Sequence, residues 1–305
     1  MKVHYELPAA RAAHPLVVAI GFFDGFHRGH RSIVRELLRI RRPGERAAVV
    51  TFRDHPASFL RPGQAPPLIM TLEERINSFA RAGIDEAFVL GFDASLATQA
   101  PGAFLDETLI ARIGARGLVV GENFRFGVKR SGDVAFARAH LERGGLRFIA
   151  VPNELDDGER VSSTRVRGAI AAADLAQADR LLGASYTLRG PVALGFGRGH
   201  DLGFPTANIV VPAEKMLPPD GVYAVTGRHD ARDYKGLLSI GTNPTFAGTR
   251  RTVEAWLLDF TGSLYGEELA LRDLRFVRAQ QRFDTVDALL TQMRADAATI
   301  RFPSF

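Results

Sequence analysis

Cysteine is missing from all 305 residues, which excludes disulfides, zinc thiolate centres and a thiol nucleophile. Lysine is nearly missing too: Lys2, Lys129, Lys215 and Lys235 are the whole supply, so arginine carries almost all of the basic charge. Arginine's planar fork suits phosphate, although a compositional bias towards Ala and Arg explains much of that excess. The formal charge of +5 is scattered along the chain and forms no basic stripe, so nucleic acid is not an expected partner. No apolar run approaches the length of a membrane span. Residues Met1 to Arg11 do not show the basic-then-apolar order of a secretory leader. A cytoplasmic chain without a membrane partner is therefore expected. No GxxxxGK[ST] segment occurs, which removes the P-loop enzymes.

What is present fits a globular protein, with 46% hydrophobic and 24% charged residues. The length predicts two domains. Short apolar runs at Leu16–Ile20, Ala47–Phe52, Glu86–Leu90, Gly117–Val120 and Arg147–Val151 alternate with helical patterns at His30–Arg41, Leu72–Ala82, Pro101–Ile113 and Val134–Gly144. That alternation predicts an α/β domain with a parallel, Rossmann-like sheet. Helical stretches Arg165–Ala172 and Leu175–Leu182 follow. The texture then changes to β-like runs with Gly and Pro punctuation: Tyr186–Leu194, Thr206–Val211, Val222–Gly227, Lys235–Ile240, Val253–Leu258 and Leu269–Phe276. These predict a small closed antiparallel β-barrel. A final amphipathic helix, Thr285–Ile300, is expected to pack on it through Val286, Leu289, Leu290 and Met293. The boundary falls near Gly183–Ser185, giving domains 1–182 and 183–305.

The first predicted strand runs straight into Gly21-Phe22-Phe23-Asp24-Gly25-Phe26-His27-Arg28-Gly29-His30. Ligands of open α/β sheets gather at the carboxyl ends of strands, and a helix N-terminus there attracts an anion. Gly21, Gly25 and Gly29 let backbone approach phosphate closely. His27 and His30 can reach one phosphate chain and donate to charge building up on an α-phosphorus and a departing pyrophosphate. The plain alternative is a pair of helix-capping histidines beside a tight turn. After the last α/β strand come Val161-Ser162-Ser163-Thr164-Arg165-Val166-Arg167, whose hydroxyls and Arg167 suit phosphate.

In the second half, Gly195 to Asn208 joins a glycine-rich loop, including Gly197, Arg198 and Gly203, to Pro205-Thr206-Ala207-Asn208. Such a backbone can wrap phosphate, while Thr206 and Asn208, on one side of a strand, offer oxygens to a hard cation such as Mg²⁺. Glu254 interrupts an apolar β run, Thr252 to Asp259. It is a general base for a substrate hydroxyl or half of a buried ion pair, and the strand pattern leaves both open.

The HxGH segment and SSTRVR together resemble the nucleotidyltransferase superfamily. The whole chain resembles the prokaryotic bifunctional riboflavin kinase/FMN adenylyltransferase (FAD synthetase) family, through GFFDGFHRGH, TFRDHP, MTLEER, GENFRFG, SSTRVR, GRGHDLGFPTANI, GVYAV, IGTNPTF and VEAWLLDF. The resemblance implies a barrel that phosphorylates riboflavin to FMN and an α/β half that adenylylates FMN to FAD, each with ATP and Mg²⁺. It places His27, His30, Asn123, Ser163, Thr164 and Arg167 at the adenylyltransferase ATP site, together with Gly21, Asp24 and Gly25 of the first loop. Thr206 and Asn208 map onto the kinase Mg–ATP site, with Gly197, Arg198, Gly203 and Pro205 around the nucleotide, and Glu254 becomes the base. Phe124 and Phe126 are expected chiefly as core. Two departures stand out: Ala173-Asp174 where the family usually has Gly-Asp, and Arg278-Ala279-Gln280 where it usually has Arg-x-Glu. An adenylyltransferase with another acceptor, a synthetase-derived RNA-binding module and a non-catalytic flavin sensor are the competing readings. Oligomeric state is open.

Overall fold

The computed structural model describes residues 1–8, 14–193, 204–230, 232–242 and 251–301. The expected sites Gly197, Arg198 and Gly203 lie outside these residues, as does most of the IGTNPTF segment. Contacts divide the chain into two compact units, Met1–Ser163 and Thr164–Phe305. The division falls ahead of the Gly183–Ser185 boundary expected from composition.

The first unit is built on β1 (Lys2–His4), β2 (Leu16–Ile20), β3 (Arg46–Phe52), β4 (Glu86–Leu90), β5 (Ala115–Gly121) and β6 (Arg147–Val151), paired throughout in parallel in the order β1-β4-β3-β2-β5-β6. Strand β2 is buried on both faces because both faces are covered. Leu16, Val18 and Ile20 pack with Phe104, Leu109 and Leu141 on one side; Val17 and Ala19 pack with Val34, Leu37 and Phe79 on the other. The helices responsible are α1 (Arg28–Ile40) and α3 (Leu72–Arg81) on one face, and Phe104–Ile113 with α6 (Val134–Arg143) on the opposite face; α2 (Pro56–Leu60), α4 (Ala94–Thr98) and α5 (Pro101–Ala103) are short connecting turns of helix. Helix α3 starts at a full capping box, Thr71 with Glu74. Phe104–Ile113 is wound as a π-helix and stops at Gly114, whose φ of 88° suits glycine.

The chain proceeds from β2 to β3 to β4 in one direction, then returns to place β5 on the other side of β2. The sheet therefore reverses between β2 and β5, the switch point at whose carboxyl ends open α/β sheets take their ligands. The loop from Gly21 leaves β2 there, and Glu122-Asn123 leaves β5 beside it.

The second unit starts with α7 (Ser163–Ala171) and α8 (Leu175–Leu182), the former sharing its first residue with unit one. Strands β9 (Leu188–Ala193), β10 (Ala207–Ile209), β11 (Gly221–His229), β12 (Arg232–Thr242), β13 (Arg251–Leu257) and β14 (Glu268–Arg278) close into an antiparallel barrel, order β10-β13-β12-β11-β14-β9. Alternate residues fill it: Val253, Ala255 and Leu257 are buried inside with Leu238 and Ile240, which leaves Glu254 and Trp256 on the outer wall. A side chain at Gly190 would meet the carbonyl oxygen of Val210 at 2.1 Å, so only glycine lets β9 pass so close to the end of β10. The C-terminal helix, Val286–Arg301, lies against the outer wall through Ala297 and Ile300, packed with Val222, Leu237 and Trp256. Here the expected contact face shifts. Val286 is exposed, and with Leu289 and Met293 it lines a cavity instead of a sealed core.

Candidate active sites

In the first unit, the loop after β2 is held in an unusual backbone. Phe23 (φ 57°), Gly25 (φ 81°) and Phe26 (φ 40°) are left-handed, a conformation that bulky side chains adopt only under constraint. The constraint is visible: both phenylalanines are buried and meet Phe79 edge-on at 5.6 Å. Their packing turns the loop so that α1 begins at Arg28, two residues ahead of the expected start. His27 is the N-cap; its Nδ1 accepts the His30 N–H at 3.3 Å. The capping alternative is thus true of one ring atom, and it fixes the tautomer, because Nε2 must then carry the proton of the neutral ring.

His30 stacks on His27 with 3.6 Å between ring centroids. Burial, and then the neighbouring His27, hold its basicity well below the usual histidine range, so His30 is neutral at physiological pH. Its Nδ1 is buried without a hydrogen-bond partner among the described residues. Gly29 completes the spacing, since a side chain there would touch the His27 ring at 3.2 Å. No acidic residue of α1 itself occupies its first turn.

Asp24 takes a different position from a ligand-facing carboxylate. It is buried, and its two oxygens accept the backbone N–H groups of Ile69 (3.1 Å) and Met70 (2.9 Å). Ser163 donates its hydroxyl to the Asp24 carbonyl at 2.9 Å. Asp24 and Ser163 therefore brace the loop from two sides. Asn123 is exposed beyond β5 and donates to Asn153 at 2.7 Å. Phe126 sits in the core with Phe124 stacked on it at 5.1 Å. Thr164 and Arg167 follow Ser163 on α7.

Two residues that motif reading did not single out organise this site. Arg75, fully buried, donates to the carbonyls of Phe22 (2.9 Å), Phe52 (3.1 Å) and Arg53 (3.1 Å) and to the Thr51 hydroxyl (3.0 Å). Burial lowers its basicity to about 10, partly opposed by Asp24 and Asp54. Arg28 bridges Asp156 and Glu154 at 2.9 Å each, joining the start of α1 to the hairpin β7 (Leu155–Asp156) and β8 (Glu159–Arg160) that leads into Ser162-Ser163. A buried arginine between two strand ends signals such a role, but only once the strands are known to be neighbours.

In the second unit, a cavity of about 590 Å³ lies between the outer barrel wall and the C-terminal helix. Thr206 and Glu254 line it, along with Phe204, Ser239, Trp256 and Gln280. Strand β10 is shorter than expected, so Thr206 precedes it; Thr206 and Asn208 are both half-buried while Ala207 and Ile209 are buried. Asn208 pairs with Glu254 across β10 and β13, and Glu254 pairs with Ser239 across β13 and β12. Asn208, Glu254 and Ser239 thus form one polar row across three strands. Glu254 has no arginine partner among the described residues, so the ion-pair alternative finds no support there. Pro205 is exposed at the rim. Among the described residues no cluster of His, Asp and Glu could hold a metal; hard oxygen donors come instead from a hydroxyl and an amide.

A family model for FAD synthetase matches residues 9–165, and one for riboflavin kinase matches residues 182–302. The chain belongs to the bifunctional riboflavin kinase/FMN adenylyltransferase family. Enzymes of that name from Pseudomonas fluorescens and Listeria monocytogenes are 37% and 33% identical, covering 93% of this chain and 92% and 91% of their own. A crystal structure named as a macrolide-efflux protein from Streptococcus pneumoniae is 30% identical, covers all of both chains and superposes with a TM-score of 0.90. Among the described residues here, no helix is long and apolar enough to cross a membrane.

Proposed function

We propose that this chain makes FMN from riboflavin at the barrel, within residues 183–305, and FAD from FMN at the α/β half, within residues 1–182. The observation that carries the proposal is the polar row Asn208–Glu254–Ser239, whose Glu254 and Ser239 line a cavity together with Thr206, on the same chain as the His27–His30 pair at a switch-point helix terminus. A nucleotidyltransferase acting alone has no use for the first feature.

At the barrel, Glu254 takes the proton of the terminal ribityl hydroxyl as its oxygen attacks the γ-phosphorus of ATP, and ADP leaves. Thr206 and Asn208 would hold a Mg²⁺ arriving with the nucleotide through a hydroxyl and an amide oxygen, and the ion would offset phosphate charge there. Gly197, Arg198, Gly203 and Pro205 belong to the loop assigned to the phosphates. At the α/β half, a phosphate oxygen of FMN attacks the α-phosphorus of a second ATP and pyrophosphate leaves. The His27 Nε2–H, His30, the loop amide of Gly25 and the α1 terminus donate to that charge, while Gly21 donates its own N–H to the Val50 carbonyl at 3.1 Å and contributes close backbone approach instead. Asn123, Thr164 and Arg167 complete the assignment, while Asp24 and Ser163 hold the loop. A chain without cysteine fits a reducing, cytoplasmic location.

The test is incubation with riboflavin, ATP and Mg²⁺, resolving FMN and FAD by chromatography. His30→Ala is expected to stop FAD formation and spare FMN; Glu254→Ala is expected to stop FMN formation while FMN supplied directly still becomes FAD. Loss of both activities in both folded variants would refute separate sites.

A further inference from the structure

We infer that Ser239 and Gln280 form a hydrogen-bonding clamp that grips the polyol chain of the acceptor and sets its specificity. The inference rests on the kinase reading above and assigns two residues that the reading leaves without a role.

Gln280 is exposed on the cavity wall and donates through Nε2 to the Ser239 hydroxyl (2.9 Å) and the Ile240 carbonyl (3.1 Å). A carbonyl can only accept, so the amide orientation is determined: nitrogen faces Ile240, and Oε1 is left as a neutral acceptor. Ser239 accepts from Gln280, which leaves its own O–H to donate; no other hydrogen bond joins it to the described residues. The pair therefore offers one donor and one acceptor side by side, the complement of a carbon chain bearing a hydroxyl on each atom.

Position completes the argument. Ser239 is the register neighbour of Glu254, and Asn208 is the neighbour on the other side. Strands lie about 4.8 Å apart, so the row runs from the phosphate end, past the base, to the clamp within about 10 Å. A polyol whose terminal hydroxyl meets Glu254 extends its next hydroxyls towards Ser239 and Gln280. Beyond them the wall turns apolar with Val222 and Leu237, suited to the flat ring. A carboxylate at 280 could not donate to Ile240 and would face that carbonyl with like charge, so the amide is integral to the local geometry. Gly241 matches it: a side chain there would meet the Gln280 nitrogen at 3.0 Å.

The experiment uses the full chain with Ser239→Ala and Gln280→Leu. Each removed hydrogen bond is expected to raise the riboflavin KM about fivefold to tenfold, with kcat changed less. Inhibition by lumiflavin, which has the ring and no polyol, is expected to stay at the wild-type Ki. FAD formation from supplied FMN reports that the α/β half is intact. Equal weakening of riboflavin and lumiflavin, or an unchanged riboflavin KM in both variants, would overturn the clamp. If Ser239→Ala does not fold, Gln280→Leu, at an exposed position, gives the same reading. Absence of FMN from the wild-type reaction would overturn the kinase reading, and the clamp with it.

Discussion

Arg75 places a guanidinium beyond the reach of water and uses it to tie together backbone carbonyls at the ends of two neighbouring strands. Removing it strands several buried acceptors, each costing about 1–3 kcal/mol. Arg75→Met is expected to lower the melting temperature and to cut FAD formation at least tenfold, leaving FMN formation at the barrel near wild type; equal loss of both products would contradict a local role. The contrast with His27 and His30 shows what the sequence discloses at this scale. Their spacing, with Gly29 between, was legible because it follows from one helix start and one crowded ring. The carboxylate of Asp24 was not, because its partners, the amides of Ile69 and Met70, come from a distant stretch of chain.

Among the elements, the strands of the parallel sheet with apolar runs were readable to within a residue or two. Leu16–Ile20, Glu86–Leu90 and Arg147–Val151 coincide with their predicted limits. Strand β1 and the hairpin β7–β8 were not, since three or two residues with polar side chains carry no periodicity. That hairpin nevertheless fixes the approach of Ser163 through Arg28. Because Arg28 is about one-third exposed, Arg28→Ala is expected to cost under about 1 kcal/mol of stability. It should still slow FAD formation several-fold by releasing the hairpin, with an ATP KM that rises more than kcat falls.

The joint between α8 and β9 makes a pH prediction. Asp179 accepts the Tyr186 N–H at 2.6 Å, yet burial, aided by the charge of Asp273, raises its pKa to about 6 from the ordinary 3.8. Between those values the folded chain binds the proton more tightly than the unfolded chain. Stability from this group is therefore greatest below about pH 4 and falls as pH rises through about 6. Asp179→Asn, which keeps an oxygen for Tyr186, should melt higher than wild type above about pH 7 and lose that advantage below about pH 5. A pH-independent difference would count against the mechanism.

For the whole molecule, the positions of α7 and α8 bear on how the activities can be separated. Composition changes at Gly183, whereas side chains of α8 pack with the barrel unit and Asp179 caps the approach to β9. Contacts across a change of texture leave no trace in the pattern of either side. A fragment 164–305 is expected to melt cooperatively and make FMN, and a fragment 183–305 to melt several degrees lower. Equal melting would show that α8 contributes nothing to the barrel.

The barrel is filled with its own side chains, so the proposed kinase site lies outdoors, under an awning of a single helix. Besides the apolar contacts of Ala297 and Ile300, that awning hangs from one fork, Arg278 to Asp296 at 2.8 Å, steadied by Gln292. A chain cut just before Val286 would keep every strand and every polar residue of the row, yet hold riboflavin in an open basin. Lesions at the far end of the gene should therefore show themselves as leaky flavin retention long before they show themselves as misfolding.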